Sequence, residues 1–85
     1  MKYLITYDLN RPGQYYKTLF EAIESLGRWC HILQNTWVVK SSYTVVQTRD
    51  HLSKFIDSND KLFICGVDNW ASYNMQEVTD WLKIN

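Results

Sequence analysis

One proline and three glycines in 85 residues leave little material for linkers or low-complexity tracts. Together with a hydrophobic fraction of 46%, this excludes a disordered chain. Internal repeats are absent too. Net charge is also missing, because nine basic side chains balance nine acidic ones, which argues against an indiscriminate polyanion binder. The only asymmetry is that residues 1 to 42 hold five of the cations, Lys2, Arg11, Lys17, Arg28 and Lys40, against three acids. Any basic surface must be built from that half. Cys30 and Cys65 form no CxxC, and no secretory signal or apolar run near the roughly 20 residues of a membrane span is present. A cytoplasmic chain with free thiols and no membrane partner is expected. Spaced glycines of a dinucleotide or P-loop fingerprint are lacking, so no bound nucleotide cofactor is indicated.

What is present is aromatic mass and a strong order of elements. Four Trp and six Tyr exceed what so short a chain hides alone, so self-association is expected. Lys2-Tyr3-Leu4-Ile5-Thr6-Tyr7-Asp8 reads as a strand with Tyr3, Ile5 and Tyr7 on one face and Leu4, Thr6 and Asp8 on the other. Tyr16, Leu19, Phe20, Ile23 and Leu26 then fall at helical spacing, and Gly27 is placed to cap that helix. Arg28 to Leu33 and Thr36 to Lys40, split by Gln34-Asn35, predict a hairpin.

Thr44 and Gln47 match a capping box for a second helix with apolar positions Val45, Leu52, Phe55 and Ile56. Leu62 to Val67 is a fourth strand after the Ser58-Asn59-Asp60 turn. Asn74 with Glu77 starts a short last helix with Met75, Val78, Trp81 and Leu82 on one face.

The order βαββαβ predicts one α+β domain over 1–85, a ferredoxin-like antiparallel sheet of order 4-1-3-2 with both helices on one face. A short C-terminal helix lies in a 68–85 extension. The other sheet face is expected to be bare, and Cys30 and Cys65 are expected on opposite edge strands.

Asp8 ends an otherwise mostly apolar row. It coordinates something, accepts backbone N–H bonds from the Asn10 to Gly13 turn, or sits solvated. Asn10, Arg11 and Gly13 follow, where backbone donors and a guanidinium suit a phosphate; turn formation is the alternative for Pro12-Gly13. Lys17, Arg28 and Lys40 join them only if the fold brings them to one rim. His31 and His51 lack partners at metal or triad spacing. Trp70 and Tyr73, after the fourth strand, are the best candidates for exposed aromatics.

Tyr7-Asp8-Leu9-Asn10-Arg11-Pro12-Gly13, with Leu26-Gly27-Arg28-Trp29 and Thr36-Trp37-Val38-Val39, resembles the family of CRISPR-associated protein two, closest to its SinR-like stand-alone members. The resemblance covers about residues 1 to 67. It implies a homodimer, RNA or DNA as partner and, in some members, phosphodiester cleavage dependent on Mg²⁺ or Mn²⁺ held by the carboxylate matching Asp8. The 68–85 tail departs from the family, which often ends in a strand crossing to the partner. Two other readings stay open: a non-enzymatic interaction or scaffolding module, and a dimer binding a small nucleotide ligand.

Overall fold

The computed structural model describes residues 1–10 and 16–85, so the predicted Pro12-Gly13 turn and Arg11 lie outside the described residues. The elements are β1 (Lys2–Asp8), α1 (Lys17–Glu24), β2 (Gly27–Leu33), β3 (Thr36–Ser41), α2 (Val45–Leu52), a 3-10 turn (Ser53–Phe55), β4 (Lys61–Gly66) and α3 (Gln76–Ile84). The four strands form one antiparallel sheet of order β2-β3-β1-β4.

Strand alternation sets the two faces. Tyr3, Ile5 and Tyr7 of β1 and Trp37 and Val39 of β3 are buried and join Leu19, Ala22 and Ile23 of α1 and Leu52 of α2 in the main core. α1 and α2 thus share one face. Within that core the Trp37 Nε1–H donates to the Tyr7 hydroxyl at 3.0 Å, and the exposed His31 stacks on Trp37 from the sheet edge with centroids 4.0 Å apart. Phe20 of α1 reaches the same group, 5.9 Å from Trp37 and 6.3 Å from Tyr7 between ring centroids.

The second face is not bare, contrary to expectation. Val38 and Leu82 are buried outside the main core, α3 packs against β2, and Lys2 and Arg28 on this face reach Leu82 and Asn85. α3 therefore lies across the β2 side of the second face. Of its apolar positions legible in the sequence, Leu82 is buried there and Met75, Val78 and Trp81 are half-buried.

Three local expectations change. Gly27 does not cap α1, which ends at Ser25 in the right-handed region; it opens β2 at φ 155°, where a Cβ would lie 2.2 Å from the Lys40 carbonyl oxygen. Asn74 does not cap α3 either. It adopts φ 60° and the helix starts after Met75, with no side-chain cap. In α2 the capping box of Thr44 and Gln47 forms in full, but Val45 is exposed and Thr48 is buried in its place. Thr48 can be buried because its hydroxyl donates to the Thr44 carbonyl at 2.8 Å.

Burial pushes the Tyr7 phenol above its ordinary value of 10.0, offset in part by the hydrogen bond from Trp37. A raised folded-state value means that the unfolded chain ionises first, so this contribution is present below about pH 10 and is lost as pH rises through the folded value. Tyr7→Phe leaves the buried indole N–H without its acceptor. We expect a loss of about 1–3 kcal/mol in denaturant unfolding at neutral pH, with a shallower fall in stability above pH 10 than wild type shows.

Candidate functional site

The C-terminal end of β1 is built around two carboxylates with different tasks. Asp8 is exposed and, in register, lies opposite Lys61 of β4 on the second face. Among the described residues it accepts no hydrogen bond from the turn that follows it. The Asn10 amide N–H goes instead to Asp60, whose Oδ1 accepts it at 2.6 Å together with the Tyr16 hydroxyl at 3.4 Å, and whose Oδ2 accepts the Asp57 amide N–H at 2.8 Å. Turn chemistry at Ser58-Asn59-Asp60 was legible, but its reach across to Asn10 was not, because the contact is 50 residues long in sequence.

Asn35 closes the other side. Its carbonyl accepts the Tyr7 amide N–H at 3.2 Å and the Thr6 hydroxyl at 3.3 Å, while its Nδ2 donates to the Tyr7 carbonyl at 3.1 Å. These bonds tie the hairpin tip to the end of β1. A cleft of about 560 Å³ opens beside Asp8, with Tyr7, Tyr16, Phe20, His31 and Asn35 among its lining residues. Its aromatic rings alternate with the polar side chains of Asp8, Gln34 and Asn35. His31 is held there by its stack on Trp37 and a 3.0 Å contact from Nε2 to the Gln34 carbonyl, which is a structural role.

The predicted site residues do not gather in one place. Asp8, Asn10 and Lys17 belong to the C-terminal end of β1 and the start of α1, and Lys17 pairs with Glu21 at 3.7 Å. Arg28 sits at the opposite end of the sheet. There it is directly opposite Lys40, which is opposite Lys2, so three cations of β2, β3 and β1 form one row across the second face. Like charges at directly opposed positions repel, the Lys2–Lys40 pair most closely.

Two of the three cations are answered by α3. Arg28 donates to the Asn85 side-chain oxygen at 3.0 Å and the Lys2 ammonium reaches the Leu82 carbonyl at 3.5 Å, at the helix end where carbonyl dipoles favour positive charge. Lys40 is exposed and has no carboxylate partner among the described residues. The row escaped sequence reading because its members are joined only by strand register; the signal that existed was the excess of cations in residues 1 to 42.

No family model matches the chain, and no solved structure matches it. Among the described residues, no three His, Cys, Asp or Glu side chains are grouped to hold a metal ion, and no helix is long and apolar enough to cross a membrane. Mg²⁺ and Mn²⁺ seek several hard oxygen donors. Among the described residues Asp8 brings one carboxylate, in register opposite the charge of Lys61. The cysteines are both free, and they lie on the two outer strands. Burial, and then the charge of Glu77, push the Cys30 thiol up, away from a reactive thiolate.

The two acids make a discriminating pair. Asp60→Ala removes the acceptor for three donors and should cost about 1–3 kcal/mol in denaturant unfolding. Asp8→Ala should stay within about 0.5 kcal/mol of wild type. Equal losses from both variants would contradict the division of roles.

Proposed function

We propose that this protein is a small cytoplasmic nucleic-acid-associated homodimer of the CRISPR-associated protein two type, with a ferredoxin-like βαββαβ body that engages phosphates through Lys2, Lys40 and Arg28. The strand order β2-β3-β1-β4, read from the β4 edge as 4-1-3-2, supports the fold part of this reading, as does the placement of α1 and α2 on one face. The cross-strand row of three cations carries the binding part.

Aligned cations are costly without counter-charge, and a phosphate backbone supplies it at a spacing that neighbouring strands can follow. Lys40, lacking a partner among the described residues, makes the first contact. Arg28 is suited to a bidentate hold on a phosphate, exchanging the neutral Asn85 oxygen for charged ones. Such contacts position RNA or DNA without reading its sequence. Net neutrality of the chain fits a local, salt-sensitive contact rather than broad attraction to polyanions.

A second reading, cleavage at Asp8, has a separate support: Asp8 is exposed at a strand end and the Asn10 amide N–H donates to Asp60 rather than to it. In that reading a metal would need the carboxylate of a second copy as well. Cleavage of labelled RNA and DNA that is lost in Asp8→Ala would establish it, and equal activity in both proteins would remove it.

For the binding reading we expect Lys40→Glu to weaken binding of a labelled single-stranded oligonucleotide by about tenfold or more. The slope of log affinity against log salt should fall by about one. Unchanged affinity and slope, with the fold intact by circular dichroism, would overturn the assignment.

A further inference from the structure

The contacts that hold His31 use one face and one edge of its ring. It lies within 9° of parallel to Trp37 at a centroid distance of 4.0 Å, and its Nε2 meets the Gln34 carbonyl at 3.0 Å. The imidazole is nevertheless exposed and lines the cleft at the end of β1. What it offers there is its second face, a flat ring whose orientation the core has already fixed. Phe20 flanks it at 6.2 Å and a tilt of 51°, and Tyr7 and Tyr16 complete the aromatic lining. A planar ring entering the cleft extends the Trp37–His31 stack by one layer.

The cleft continues past this ring. A second hollow of about 250 Å³, with Thr6, Lys61, Leu62 and Phe63 in its lining, shares Tyr7, Asp8 and Asn35 with the first. Asp8 therefore stands on the rim common to both. Lys61 is its register partner on β4, and opposite charges so placed ordinarily pair. Among the described residues, neither side chain enters an ion pair. A flat ring, an unpaired carboxylate and an unpaired ammonium thus follow one another around the strand end.

That order is the order of base, ribose and phosphate. We propose that the two hollows form, within a single copy of the chain, a site for one ribonucleotide unit. The base stacks on His31, the ribose 2′-hydroxyl donates to the Asp8 carboxylate, and the phosphate lies against Lys61. The larger hollow, about 560 Å³, is within the usual range of small-molecule sites.

Stacking tolerates any base, whereas a carboxylate at the ribose sorts ribonucleotides from deoxyribonucleotides, which lack the donor. Asp8 gains a task that needs no metal. The same unit arrives either as a free nucleotide or as the 5′-phosphorylated end of an RNA strand. The site shares no residue with the row of Lys2, Lys40 and Arg28, so each stands or falls without the other.

The test is calorimetric titration of the full chain with adenosine 5′-monophosphate and with its 2′-deoxy counterpart, for wild type, Asp8→Ala, His31→Ala and His31→Phe. Wild type should bind the ribonucleotide about tenfold more tightly, and Asp8→Ala should bring the ratio close to one. His31→Ala should weaken both ligands about fivefold or more, and His31→Phe, which keeps a ring for stacking, should restore them. Displacement of the bound ribonucleotide by a 5′-phosphorylated RNA but not by the matching DNA supports the site and names an RNA end as its source; displacement by neither supports it for the free nucleotide. No binding at millimolar nucleotide, equal affinity for the two nucleotides, or a ribose preference that survives Asp8→Ala overturns the site. None of those three results alters the effect of Lys40→Glu on the salt slope, by which the cation row is judged.

Discussion

The hydrogen bond from the Trp37 indole to the Tyr7 phenol is the constraint on which the rest of this molecule depends. It fixes the register of β3 against β1 inside the core, where neither polar group could be left alone without a penalty. His31 stacks on the indole from β2 and Phe20 approaches from α1, so three strands and a helix meet around one buried polar pair. With that register set, alternation sends Lys2, Thr6 and Asp8 to the opposite face and brings Lys40 and Arg28 into line with Lys2. The chemistry of the second face is therefore a by-product of core packing on the first.

The two ends of that face behave differently because their charges are answered differently. At the Lys2 end, repulsion within the row is relieved by the C-terminal turn of α3, which receives Lys2 and Arg28 and leaves Lys40 facing solvent. At the Asp8 end, Asp60 accepts the amide N–H groups of Asn10 and Asp57, and Asp8 accepts none among the described residues. A residue released from structural work is open to substitution at little cost in stability. Asp8 and Lys40, rather than Asp60 and Arg28, are therefore the positions at which the proposed function can be tested apart from the fold.

Much of this was legible in the sequence because the elements obey local rules. Period-two alternation in β1, the Thr44–Gln47 capping box and the Gln34-Asn35 hairpin are each set by neighbours in the chain. The errors arose where distant groups decide. Gly27 looked like a helix cap because it follows an apolar helical position, yet its need for glycine comes from the Lys40 carbonyl on the adjacent strand. Val45 fitted a helical stripe but is exposed beside β4, and Thr48 took its place by satisfying its hydroxyl within the helix. Covering of the second face by α3 needed the knowledge that Lys2 and Arg28 could hold its end.

Amide chemical-shift mapping of the labelled full chain, titrated with a single-stranded oligonucleotide, tests the central claim most directly. Binding through the cation row predicts perturbations concentrated at Lys2, Arg28 and Lys40 and in the last turn of α3, whose contacts the phosphates replace. Perturbations confined to the Asp8 end, or none at saturating oligonucleotide, would contradict it.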